Sequence, residues 1–202
     1  MKYLALDTSG KRLLIIAKNG EKTAVYDDPE CGIRHSVEIM NAIEETACKV
    51  FENLSEADFF ACTVGAGSFT GIRIGVSTIK ALAFAYGKHC VSITSFDALA
   101  YNKQKGKYIA VIDALHDAFY ICGYDDLKTV IPPSYVTKER LLEYGKEFIL
   151  LSEKPIKDLQ TETADFRNGF IKAVEEKSND KFSPELLDPL YVKKSQAEEE
   201  AK

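Results

Sequence analysis

The sequence predicts an α/β protein built in two similar halves, each a mixed sheet with flanking helices. Three observations predict it. Short apolar runs alternate with helical-period stretches along nearly the whole chain. The element order in the second half follows that in the first. A polar, glycine-containing stretch, Gln104-Lys-Gly-Lys107, lies between them. The expected division is an N-terminal lobe at 1–104, a degenerate C-terminal lobe at 105–192 and a charged, flexible tail at 193–202.

Residues 2–6 read as an apolar strand running into Asp7-Thr8-Ser9-Gly10. Leu13 to Ala17 and Thr23 to Tyr26 are two more strands, and Lys18-Asn19-Gly20-Glu21 between them carries a hairpin signal. A helix is expected from about 36 to 51, with Ile39, Met40, Ile43, Ala47, Val50 and Phe51 at helical spacing. The run 59–64 is a buried strand. The glycine-rich segment Gly65-Ala-Gly-Ser-Phe-Thr-Gly-Ile-Arg-Ile-Gly75 then opens an apolar helix that Gly87 stops. A strand at 90–94 leads to a short helix at 96–101, with Ser95 as its cap. In the second half, strands are expected at 108–113, 118–124 and 129–131, with a turn at Asp125-Asp126. A helix at 138–144, a strand at 147–151, a helix at 166–176 and an extended Pro189-Leu-Tyr-Val192 complete it. Three strands, helix, strand, helix, strand, repeated with losses, is the plan of a two-lobed actin-like ATPase (the ASKHA, RNase H-like fold).

Composition narrows the function. The 202 residues are 46% hydrophobic with a formal charge of −5. Such a chain has no global pull on nucleic acid, so any RNA-directed role needs a partner to supply most of the phosphate binding. Five cysteines without a CxxC pair point to a reduced, cytoplasmic protein with core thiols. Asp7 interrupts the first apolar run too early for a signal peptide. The longest apolar run, Ala81 to Tyr86, is too short to span a membrane.

The glycine segment admits two readings, a phosphate cradle at a helix N-terminus or a sharp structural turn. A P-loop needs lysine after its last glycine, and Ile72 follows Gly71; the third dinucleotide-motif glycine is replaced by Thr70. Gly67-Ser-Phe-Thr-Gly71 is not the Gly-x-Ser-x-Gly elbow of a hydrolase. The structural turn is favoured, with Ser68 and Thr70 starting the helix. Arg73 in the helix's first turn opposes the helix dipole, so an ion pair is expected for it. Of the two turns an actin-like ATPase uses for phosphate, the first is Asp7-Thr8-Ser9-Gly10, which also reads as a strand-ending turn held by Asp and Ser side chains. The second, Asp113-Ala-Leu-His-Asp117, has no glycine, which points to a missing or crippled ATP site. His35, His89 and His116 are the only histidines and none has another four residues away, so no metal site is expected. His35 reads either as a surface residue at the start of its helix or as a group sensing pH and partners.

The chain resembles the bacterial TsaB (YeaZ) family. The residues that carry the resemblance are Leu4-Ala-Leu-Asp-Thr-Ser9, His35-Ser36 with Glu38, the segment Gly65 to Gly75, Ser95-Phe-Asp-Ala-Leu-Ala100, Asp113-Ala114 with Tyr120, and Pro189-Leu-Tyr191. Ala66 and Ile72 stand where the family usually has proline and leucine. The resemblance implies a non-catalytic partner of TsaD, a homologue that transfers threonylcarbamoyl to N6 of adenosine 37 in tRNA. It further implies pairing with TsaD through N-terminal-lobe helices, self-pairing when TsaD is absent, and a complex joined by the small ATPase TsaE, with tRNA met only inside it. The His-x3-His pair of TsaD-type proteins is matched here by Ser95-Phe-Asp-Ala-Leu99, without histidine.

The combined expectation is a protein with no catalytic residue, metal, cofactor or membrane contact. The two apolar helices are expected to supply a partner interface of Ile39, Met40, Ile43, Ala47, Ile79 and Ala83. Asp7, Ser9, Gly65, Gly67, Ser68, Thr70, Gly71, Arg73 and Gly75 form a motif with a structural task. Two alternatives stand beside it: an ATP-dependent small-molecule kinase of the same fold, using Asp7 and Asp113 near a metal, and a homodimeric regulatory module.

Overall fold

Two five-stranded sheets organise the chain, and each starts from a hairpin. The computed structural model describes residues 1–103 and 105–193; the expected tail falls, from 194 onward, outside the described residues. In the first sheet β1 (Lys2–Asp7) pairs antiparallel with β2 (Leu13–Asn19), which pairs antiparallel with β3 (Lys22–Asp28). β1 pairs in parallel with β4 (Phe59–Gly65), and β5 (His89–Thr94) completes the order β3-β2-β1-β4-β5. Nearly every residue of β1 and β4 is buried, as expected of central strands covered on both faces. α1 (His35–Ala47) lies between β3 and β4 in the chain, and α2 (Phe69–Tyr86) between β4 and β5.

The second sheet comprises β6 (Lys107–Asp113), β7 (Ala118–Asp125), β8 (Lys128–Thr137), β9 (Ile149–Ser152) and β10 (Thr161–Thr163), in the order β10-β9-β6-β7-β8. When each strand is matched to its counterpart in chain order, this is the arrangement of the first sheet. The fold class expected from the sequence, two mixed sheets with flanking helices, is the one observed. One face of this second sheet packs Ile109, Val111, Phe119, Ile121 and Leu150 against Leu141 of α4 (Lys138–Tyr144). β8 runs on through Pro132 and Pro133, well past the expected strand; an outer strand tolerates proline because one edge pairs with nothing in the sheet.

The compact units do not divide where the sequence suggests. One comprises Met1–Ile93 with Val174–Pro189; the other comprises Thr94–Ala173 with the segment that begins at Leu190. The expected boundary at 104–105 instead lies within the second unit. The reason is α3 (Ser95–Ala100), which packs on β6, β7 and β9, so the helix belongs with the second sheet. Thr94, not Ser95, caps this helix: its hydroxyl accepts from Asp97 N at 3.0 Å, and the Asp97 carboxylate accepts from Thr94 N at 2.8 Å. The chain returns to the first unit within α5 (Phe166–Glu176). There Phe182 and Cys90 exchange backbone bonds of 2.8 and 3.0 Å on the edge of β5, and Leu187 is fully buried. This return covers an edge strand. Local sequence pattern carries little signal for it, because beyond α5 the segment holds only two single 3-10 turns, Lys177–Asn179 and Pro184–Leu186, and is placed by tertiary packing.

Candidate functional site

The glycine segment has a physical partner, and it is the turn that ends β1. Asp7 is buried, and its carboxylate accepts from the Ser9 amide at 3.1 Å and the Ser9 hydroxyl at 2.6 Å. The turn so formed presents the Ser9 carbonyl to Ser68 N at 2.6 Å, while the Thr8 hydroxyl donates to the Gly71 carbonyl at 2.7 Å. A methyl group at Gly67 or Gly71 would overlap the Ser9 or Thr8 carbonyl oxygen, and one at Gly75 the Thr8 hydroxyl. Gly67 has φ +150° besides. The three glycines are thus the seat in which the Thr8–Ser9 backbone rests. Ser68 is the N-cap, its Oγ accepting from Gly71 N at 3.2 Å. Gly65 ends β4, and Thr70 lies exposed in the first turn of α2. The guanidinium of Arg73 stacks 3.9 Å from the centroid of the Phe69 ring.

Burial raises the pKa of Asp7, and the Ser9 and Thr63 hydroxyls, the Ser9 amide and the more distant Arg12 partly offset the rise. The second expected turn is built differently. Leu115, His116 and Asp117 adopt φ of 66°, 55° and 55° without any glycine. Its amides are engaged locally: Leu115 N bonds the Asp113 carboxylate at 2.7 Å, Ala114 N the Ala118 carbonyl at 2.9 Å, and Ala118 N the Leu115 carbonyl at 3.2 Å. Absence of glycine therefore did not forbid left-handed backbone here. Among the described residues, no group of three or more His, Cys, Asp or Glu side chains is placed to hold a metal, and no helix is long and apolar enough to cross a membrane.

The six positions read as a partner interface divide sharply. Met40 is 53% exposed. Ile39, Ile43, Ala47, Ile79 and Ala83 are at most 5% exposed inside the first unit, so they cannot meet a partner while that unit is folded. The physical reason is that α1 packs on β2 and β3 and α2 on β4 and β1, and the regular apolar stripe is what each helix gives to its sheet. The solvent faces carry other apolar residues: Val37 beside Met40 on α1, and Phe84, 53% exposed, with Ala81 and Ala85 on α2. They are legible only as apolar residues off the main stripe. His35 is buried, not on the surface; its Nε2 lies 3.0 Å from the Arg12 carbonyl oxygen, to which it donates. Cys31, Cys62, Cys90 and Cys122 are buried thiols and Cys48 is exposed; all five are free.

Residues 29–198 match the family model described as TsaD: tRNA N6-adenosine threonylcarbamoyltransferase. The chain is 30% identical over 174 residues to the tRNA threonylcarbamoyladenosine biosynthesis protein TsaB of Haemophilus influenzae, covering 84% of this chain and 72% of that protein. The chain belongs to the TsaB (YeaZ) family. It is also 41% identical to the tRNA N6-adenosine threonylcarbamoyltransferase of Staphylococcus carnosus, but over 66 residues that span only 19% of that enzyme. Among solved structures, YeaZ from Pseudomonas aeruginosa superposes with a TM-score of 0.74 over 94% of this chain and 99% of that one, at 19% identity. That likeness shows a shared fold.

Two outcomes follow for this family member's motif. Gly71→Ala is expected to destabilise the chain by about 2–3 kcal/mol, because the clash is with backbone that cannot rotate away; Gly10→Ala, with open space around it, changes stability by under about 1 kcal/mol. Denaturant titration of both variants checks this, and equal effects would exclude the seat. The raised pKa of Asp7 also sets a sign. Its contribution to stability is fully present below the ordinary aspartate value and is lost as pH rises through the higher folded value. Asp7→Asn should therefore flatten the decline in melting temperature over that window.

Proposed function

We propose that this chain is a non-catalytic scaffold subunit of the machinery that makes threonylcarbamoyladenosine at position 37 of tRNA, and that it works by docking a TsaD-type transferase. The observation that carries this reading is the split character of α1 and α2. Their inner faces are committed to the sheet, yet Val37, Met40 and Phe84 remain exposed on their outer faces. Burying such side chains against a partner is favourable, and exposed apolar groups gathered on adjoining helices mark a protein contact. A catalytic role is disfavoured by the same geometry, since the Ser68 and Gly71 amides at the start of α2 and the Ala114, Leu115 and Ala118 amides at the second turn are bonded within the chain. The TsaB name of the Haemophilus relative supports the pathway.

The proposal includes a TsaE-type ATPase as a further member of the complex, contact with tRNA only within it, a cytoplasmic location, and self-pairing of the chain when the transferase is absent. Reconstitution tests it: purified TsaD-type and TsaE-type proteins with the threonylcarbamoyl adenylate supply, with and without this chain, scored for modified tRNA. Unchanged modification on omitting the chain would reject the scaffold role. Calorimetric titration of the chain with ATP and magnesium tests the kinase reading, which requires binding heat.

The docking face carries its own expectation. Met40→Asp and Phe84→Asp should each weaken association with the TsaD-type subunit at least about tenfold, or 1.4 kcal/mol, with the melting temperature little changed. Ile43→Asp, at a site 1% exposed, should instead unfold the first unit. Sedimentation and circular dichroism on the three variants separate these results.

A further inference from the structure

Residues 25–45 hold six acidic side chains and one arginine, a formal −5 with His35 neutral, which equals the net charge of the whole chain. The remainder is balanced, so the acidity is concentrated on β3, the turn after it and α1. The fold answers part of it with cations from outside the stretch: Arg12 reaches Asp27 at 3.3 Å and Lys49 reaches Glu45 at 2.9 Å. Arg34 pairs with Asp28 at 2.9 Å and approaches Glu38 at 3.5 Å. The Tyr26 hydroxyl is raised in pKa by burial and then by Asp28, Glu38 and Glu45, which places one flank of α1 over β3. Amid these charges stand Ile33, 100% exposed on the Gly32–Arg34 turn, and Val37, 72% exposed. β3 is also an outer strand of its sheet.

Charge on an edge strand is a common guard against edge-to-edge pairing, and that alone would explain the acids. It does not explain a fully exposed isoleucine and a largely exposed valine one turn apart. We propose that the outer edge of β3, the Gly32–Arg34 turn and the adjoining flank of α1 dock an extended, lysine- or arginine-bearing segment of a partner protein. The segment adds to the edge of β3 and lays apolar side chains on Ile33 and Val37, with its cations facing the acids. The sign of the charge decides against other occupants: RNA phosphates and anionic lipid surfaces are repelled, and a second copy would bring an identical acidic edge. At 100° per residue, Glu38 and Glu45 lie roughly 140–160° round α1 from Met40. Val37, about 60° from Met40, borders both surfaces, so the test rests on Ile33 and Glu38, which the transferase-docking face does not include.

The test uses the full chain with four probes: a peptide alternating lysine and valine, its glutamate–valine counterpart, a tRNA transcript and phosphatidylglycerol vesicles. The cationic peptide is expected to bind, to weaken as salt is raised, and to shift the amide NMR signals of β3 and of residues 32–38. Ile33→Ser and Glu38→Lys, both at solvent-accessible positions, should each cost about tenfold in affinity, while Glu147→Lys on the second unit leaves it unchanged. Failure of the cationic peptide to bind, equal binding of the acidic one, or undiminished binding to Ile33→Ser overturns the proposal. So does tRNA or vesicle binding that shifts the same amides. Dissociation of a self-paired chain by Ile33→Ser would assign the surface to a second copy and overturn it equally.

Discussion

The first unit depends on the contact between the Thr8–Ser9 turn and the three glycines that receive it. Asp7 shapes the turn from inside by accepting twice from Ser9. The turn then fixes the start of α2, through Ser9 to Ser68 and Thr8 to Gly71. A side chain at Gly67 or Gly71 would displace this backbone, and one at Gly75 would displace the Thr8 hydroxyl. The contact joins the end of β1, the end of β4 and the first turn of α2, so the position of the helix relative to the sheet follows from it. A buried, desolvated carboxylate is a costly way to hold a turn. Its persistence is consistent with a turn whose geometry admits little variation.

Much of this was legible in the sequence, and the reasons for the remainder are physical. Strand and helix existence followed from periodicity, and the glycine segment announced a tight approach without naming what approached. Thr8 was the unseen half of that contact, because a residue sixty positions away leaves no local trace. The partner positions failed for a related reason. Ile39, Ile43, Ala47, Ile79 and Ala83 form the regular stripe that helical spacing detects, and a regular stripe is what a sheet requires. Met40 shares the helical spacing yet is exposed, while the exposed Val37 and Phe84 sit off that stripe. The return of residues 174–189 to the first unit was hard to read for want of pattern in them beyond α5.

The repeated topology shows how one plan can be put to two uses. Both sheets place a turn after their first strand, the position from which an actin-like ATPase would contact phosphate. In the first unit that turn is occupied by packing against α2. In the second, three consecutive non-glycine residues take left-handed φ and the turn closes on its own carbonyls and on Asp113. Different residues thus lead to a similar result, with the Ser9 amide bonded to Asp7 in one turn and the Leu115 amide bonded to Asp113 in the other. Left-handed backbone at non-glycine residues is costly and is retained only where surrounding structure holds it. Here the Asp113 carboxylate and the Asp117 carbonyl, which accepts from Lys138 N at 3.1 Å, supply that hold.

A helix locked at its N-terminus and covered on one side offers a rigid opposite side. Rigidity matters for docking because a preordered surface loses less conformational entropy on association. α2 meets that condition through the glycine seat at one end and Gly87, a left-handed cap, at the other. α1 lacks a side-chain cap but is held by its buried His35 and by β3 beneath it. Its two flanks differ in chemistry, one carrying apolar Met40 and the other Glu38 and Glu45 beside the exposed Ile33, with Val37 between them. Flanks so different do not suit the same partner, since an apolar contact and a cation-seeking edge select opposite surfaces. A single helix so placed can present two surfaces of different chemistry at once.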